Sequence, residues 1–115
     1  MSNPLTTHVL DTASGSPAAG VGLKLEFWHD GDHWHEMGSA KTDADGRCGT
    51  LLADADEIGP GLYRLTFDAG GYFAGRGQES FYTLIPVVFR LAEPQPHLHV
   101  PLLLSPFSYS TYRGS

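Results

Sequence analysis

Apolar and polar residues alternate along most of this chain, with the two-residue period of β-strands. Val21, Leu23, Leu25 and Phe27 fall on one face, and Gly22, Lys24, Glu26 and Trp28 on the other, which predicts a half-buried strand over 21–28. Leu5 to Asp11 reads as a first strand, ended by the turn residues Ser14-Gly15-Ser16-Pro17. Asp30-Gly31-Asp32 is a hairpin signal leading into a weaker strand over His33 to Lys41. Asp43-Ala44-Asp45-Gly46 is a second turn, with Gly46 expected at positive φ and Arg47 to Leu52 leaving as a short strand.

Gly59-Pro60-Gly61 then opens a strong strand, Leu62 to Phe67. Asp68 to Gly75 is the one stretch that fits a short helix, although two central glycines weaken it. Ile85 to Leu91 and His97 to Leu104 are strands separated by Glu93-Pro94-Gln95-Pro96, and Phe107 to Tyr112 is the last. About eight short strands with one helical interruption predict an all-β protein, an antiparallel β-sandwich.

Length and composition narrow the class. A chain of 115 residues is expected to form one domain over 1–115, burying roughly 65% of its unfolded surface. With 41% hydrophobic and 17% charged residues it is far from the composition of disorder. A net charge of −6, with seven scattered Lys and Arg, excludes a nucleic-acid-binding surface. No apolar run approaches the roughly 20 residues that cross a bilayer. Met1-Ser2-Asn3-Pro4 resembles neither a signal nor a transit peptide, and the final Arg-Gly-Ser differs from the peroxisomal Ser-Lys-Leu address. The single Cys48 excludes an internal disulfide and fits a reducing compartment. The expectation is a soluble cytoplasmic protein with no membrane or nucleic-acid partner.

Six histidines are the main chemical signal. His29, His33 and His35 cluster with Asp30, Asp32 and Glu36 around a hairpin turn, where an H-x-H metal pair is geometrically possible. The plainer reading is a solvated polar hairpin tip. Asp43, Asp45 and Gly46 superficially suggest a calcium loop, but the later glutamate and the flanking helices are missing. His97 and His99 share one face of a strand whose other face carries Leu98, Val100, Leu102 and Leu104. Such a histidine is either a satisfied core residue or lines an internal or intersubunit cavity. His8 occupies a similar context. Arg47, just after a tight turn, reads in isolation as a solvated charge. Cys48 has no evident base near it in the sequence and is not expected to act as a covalent nucleophile.

Chain ends are usually small, polar and frayed, whereas this one runs Tyr112-Arg113-Gly114-Ser115 directly from an alternating strand pattern. The end is therefore expected to be tied into the body of the protein, holding an arginine, a hydroxyl and a carboxylate at a fixed place that can bind a polar ligand.

Together these segments resemble the transthyretin-like 5-hydroxyisourate hydrolase family. The resemblance rests on Thr7-His8-Val9-Leu10-Asp11-Thr12 with Gly15-Ser16-Pro17-Ala18, and on Thr42-Asp43-Ala44-Asp45-Gly46-Arg47. It rests also on His97-Leu98-His99-Val100-Pro101-Leu102-Leu103-Leu104-Ser105-Pro106, running on to Ser110-Thr111-Tyr112-Arg113-Gly114-Ser115. It spans essentially the whole chain, and Thr83-Leu84 departs from the proline-containing segment expected there.

The resemblance implies a transthyretin-like sandwich of two four-stranded sheets, assembled as a homotetramer with active sites in the channel between dimers. It implies hydrolysis of the ring amide of 5-hydroxyisourate, in urate breakdown, to 5-hydroxy-2-oxo-4-ureido-imidazoline-5-carboxylate. It implies catalytic roles for His8, Arg47, His99 and Ser115, with Tyr112, Arg113 and Gly114 shaping the substrate pocket, and requires neither metal nor cofactor. Two imidazoles can act as acid and base near neutrality, and a guanidinium can hold an oxyanion. Two rivals are a non-catalytic transthyretin-type carrier of small molecules, and a metal-binding β-domain using the pairs 33/35 and 97/99.

Overall fold

In the computed structural model, which describes residues 3–115, nine strands and one helix follow in the order β1 (Leu5–Asp11), β2 (Ser16–Pro17), β3 (Gly22–His29), β4 (His33–Lys41), β5 (Arg47–Cys48), β6 (Gly61–Asp68), α1 (Ala69–Gly75), β7 (Leu84–Leu91), β8 (Leu98–Leu104) and β9 (Tyr109–Thr111). Met1 and Ser2, part of the stretch read as carrying no leader, lie outside the described residues.

The strands form two sheets. One runs β4-β3-β6-β7; the other runs β2-β1-β8-β9, with β5 also paired to β1. The second sheet therefore has five strands rather than the expected four. Two two-residue strands share one edge of β1: β2 takes Leu10 and Asp11, and β5 takes Thr7 and His8. Ser16-Pro17, expected within a turn, is thus a strand once Gly15 turns the chain at φ 75°. Strand pairing is antiparallel except between β1 and β8, which run parallel in the register Thr6↔His99 and His8↔Pro101.

The period-2 pattern decides which face is buried. In β1, Leu5, Thr7, Val9 and Asp11 are buried and Thr6, His8 and Leu10 are half-buried on the outward side. In β8, Leu98, Val100, Leu102 and Leu104 turn inward. They meet Leu25, Leu65 and Phe67 of the facing sheet in one core cluster. Full burial of each such side chain contributes about 1.5–3 kcal/mol.

The helix forms despite its glycines because they are needed for close approach. Asp68 caps it, its carboxylate accepting the Gly71 N–H at 2.9 Å. A Cβ at position 71 would lie 2.5 Å from Asp68 Oδ2, and one at 70 would lie 3.2 Å from Thr83 Cα. Ala69 and Phe73 then bury the helix against the sandwich.

Candidate active site

The outward face of the five-stranded sheet carries Thr6, His8 and His99, and a turn delivers Arg47 beside them. That turn is built by Asp43. Its Oδ1 accepts the N–H groups of Asp45 at 2.9 Å and Arg47 at 3.0 Å. Gly46 sits at φ 74°, the left-handed conformation that favours glycine. Its carbonyl accepts the Val9 N–H at 2.7 Å, while a Cβ there would lie 2.5 Å from the Val9 oxygen. The turn is thereby stitched to β1, and Arg47 is paired in register with His8.

His8 is oriented by the same turn, its Nε2 lying 3.1 Å from the Asp45 carbonyl oxygen. A carbonyl only accepts, so Nε2 carries a hydrogen and Nδ1 remains for a ligand. Arg47 is exposed, and among the described residues its guanidinium has no carboxylate partner.

His99 is fixed from two sides. Its Nδ1 is 2.8 Å from Thr6 Oγ1, and its carbonyl accepts the Gly114 N–H at 2.8 Å. Burial lowers the pKa of its imidazole from the usual histidine value, and the charges of Arg47, His8 and His97 push in the same direction, against a hydrogen bond with the Thr6 backbone. The neutral ring is thereby favoured, with Nε2 as the nitrogen not bonded to the Thr6 hydroxyl.

An open cleft of about 470 Å³ lies here, lined by Thr6, Thr7, Arg47, Cys48, Gly49, His97, His99 and Ser115. His8 stands next to it, across the β1–β5 pair from Arg47. Gly114 forms an isolated bridge with His99. Tyr112 and Arg113 lie elsewhere within the chain. They line a separate, mostly apolar crevice of about 210 Å³ with Val87 and Phe89 of β7 and Leu98 and Val100 of β8. Cys48 is buried in the cleft wall, its sulfur 3.7 Å from the Thr50 hydroxyl.

Sequence reasoning missed Thr6 and Asp43. Thr6 shares the outward face of β1 with His8 by period 2, and Asp43 stands at the start of an Asx-type turn four residues before Arg47, so both signals were present. An imidazole, an arginine and a second imidazole held by the turn have the chemistry to serve as a base, an oxyanion partner and a proton route. That set suits hydrolysis of a polarised carbonyl compound.

A sequence model of the HIUase/Transthyretin family matches residues 5–114. The chain is 52% identical to a 5-hydroxyisourate hydrolase of Mus musculus, an alignment covering 99% of this chain and 97% of that protein. Among solved structures, Klebsiella pneumoniae 5-hydroxyisourate hydrolase superposes with a TM-score of 0.83 at 36% identity, covering 96% of this chain and 98% of that one. Sea bream transthyretin in complex with thyroxine superposes at 0.87 with 33% identity, covering 96% and 94%.

Proposed function

The chain belongs to the HIUase/Transthyretin family, and we propose that it hydrolyses the ring amide of 5-hydroxyisourate, giving 5-hydroxy-2-oxo-4-ureido-imidazoline-5-carboxylate. The observation that carries this reading is the pairing of His8 with Arg47 beside a cleft that Arg47 and His99 line together.

In this reading His99 is the base. Its Nε2 takes a proton from water as the water oxygen bonds to the ring carbonyl carbon. Arg47 holds the negative charge that develops on the carbonyl oxygen, a contribution of about 2.7–4 kcal/mol for one such donor. The C–N bond then breaks and the leaving nitrogen gains the proton that His99 took up, relayed through His8 Nδ1, so that both imidazoles return to neutral and H and OH have been added across the amide. Each imidazole contributes about 10²–10⁴-fold. Ser115, at the cleft wall, orients the substrate through its hydroxyl.

The carrier reading has a structural counterpart in the thyroxine-bound sea bream protein. The higher identity to the mouse hydrolase, 52% against 33%, favours the enzyme.

The reading extends to a homotetramer whose inter-dimer channel is lined by the outward face of the five-stranded sheet. Exposed apolar groups at the edge strands and nearby loops support it: Phe81 is 71% exposed, Leu84 59% and Val88 53%. Light scattering then reads four times the chain mass of 12.4 kDa, and a monomer in solution contradicts the assembly. To test the activity, 5-hydroxyisourate is generated from urate with urate oxidase and its ultraviolet absorbance is followed. Decay faster than the spontaneous rate is expected, and decay at the spontaneous rate refutes the enzyme.

A further inference from the structure

The β3–β4 hairpin, on the sheet opposite the cleft, gathers three imidazoles. His29 is the cross-strand partner of His33, and Phe27 that of His35, so the three rings share one face of the hairpin tip. The ring centroid of His29 is 5.4 Å from that of His33 and 6.3 Å from that of His35. We propose that His29, His33 and His35 form a binding site for a divalent transition-metal ion, zinc or copper, oriented by Asp30 and Asp32.

The spacing carries the first part of the argument. Two imidazoles on one tetrahedral ion, at metal–nitrogen distances of about 2.0–2.1 Å, have their ring centroids about 5 Å apart. The His29–His33 separation is already close to that value, and a side-chain rotation brings His35 in. Among the described residues no group of three ligating side chains stands preassembled, so the site closes by turning exposed rings. His35 is exposed, so its ring turns toward the other two while His29 and His33, 51% and 56% exposed, keep their aspartate partners.

Carboxylate partners carry the second part. His29 Nε2 lies 3.1 Å from Asp30 Oδ2, and His33 Nδ1 pairs with Asp32 Oδ1. The His33–Asp32 hydrogen bond leaves Nε2 of His33 for a metal, and the Asp30 carboxylate facing His29 Nε2 leaves Nδ1 of that ring. A carboxylate on the far nitrogen fixes the tautomer and makes the near nitrogen a stronger ligand. Asp30 at φ 52° and Gly31 at φ 70° give the tight hairpin turn that sets His29 opposite His33. Imidazole ligands without thiolates suit zinc and copper, with copper bound more tightly. The site lies on a different sheet from His8, Arg47 and His99, and hydrolysis does not use it.

The test is calorimetric titration of the tag-free, chelator-stripped full chain with zinc chloride. One equivalent per chain is expected, weakened about 10–100-fold in Asp32→Asn and at least about tenfold in His33→Gln. Zinc should also shift the imidazole NMR signals of His29, His33 and His35. The hydrolytic rate of His33→Gln should match that of the unchanged protein. The absence of binding overturns the proposal, as does binding undiminished by both changes. So does a loss of binding in His97→Gln instead, which would place the metal in the cleft.

Discussion

Gly114 lies directly against the imidazole of His99. Its N–H donates to the His99 carbonyl at 2.8 Å, and a Cβ at position 114 would stand 2.7 Å from the ring carbon Cδ2. Glycine is required here for proximity rather than for an unusual φ. Its lack of a side chain lets the backbone after β9 cover the ring and deliver Ser115 to the cleft.

Gly114→Ala should therefore displace the ring while sparing the core, because the three atoms nearest the added methyl all belong to His99, outside the core cluster. A misplacement of about 1 Å in a reacting group costs about 10²-fold, so turnover should fall by roughly that factor with little change in melting temperature. Steady-state kinetics and calorimetry on the same sample check it. Unchanged turnover would mean that the ring position does not matter.

The acid limb of the rate should report His99. Burial, reinforced by the charges of Arg47, His8 and His97, depresses its affinity for a proton, and the base acts only when neutral. Activity should thus rise with pH through a midpoint below about 6.5, the ordinary histidine value. The positive charge of Arg47 disfavours the imidazolium, so Arg47→Gln should move the NMR titration midpoint of His99 upward. A downward shift would contradict the electrostatic account.

A second titrating group governs stability. Asp11 is 1% exposed, and its carboxylate accepts the Tyr72 hydroxyl at 2.9 Å and the N–H groups of Ala13 and Ser14 at 3.0 and 3.1 Å. Burial raises its pKa, but these hydrogen bonds outweigh burial and hold it below the usual value of 3.8. A carboxylate depressed in the fold contributes its stability fully above the unfolded pKa and loses it as pH falls through the folded one. Asp11→Asn should cost about 1–3 kcal/mol near pH 7 and lose less on acidification below about pH 4. Melting curves of both proteins from pH 3 to 7 check it, and parallel curves would refute it.

Much of this was legible in the residues. The alternation over Val21 to Trp28 gave β3, and the Asp-Gly signals gave both turns, with Gly46 at positive φ as expected. The in-and-out pattern of His99 among Leu98, Val100 and Leu102 also matches the strand observed. What local pattern cannot carry is pairing between distant segments. The parallel β1–β8 register, which sets Thr6 against His99, joins residues 93 apart. Arg47 to Leu52 reads as one strand, yet only Arg47 and Cys48 pair with β1 before the chain turns away into the cleft wall and core. Asp11 looked like a strand end, because nothing near it in sequence announces Tyr72 as its partner. Tyr112 and Arg113 follow the end of β9 and line a different cavity from Ser115, a placement that alternation along the strand does not encode.

The central claim is that His8, Arg47 and His99 act together on one substrate in one cleft. The decisive measurement is the rate of 5-hydroxyisourate decay, above the spontaneous background, for His8→Ala, Arg47→Ala and His99→Ala prepared singly. Each should lose about 10²-fold or more in kcat/KM while keeping the melting temperature of the unchanged protein, since all three side chains lie outside the core cluster. Three variants that hydrolyse at the original rate would contradict the account.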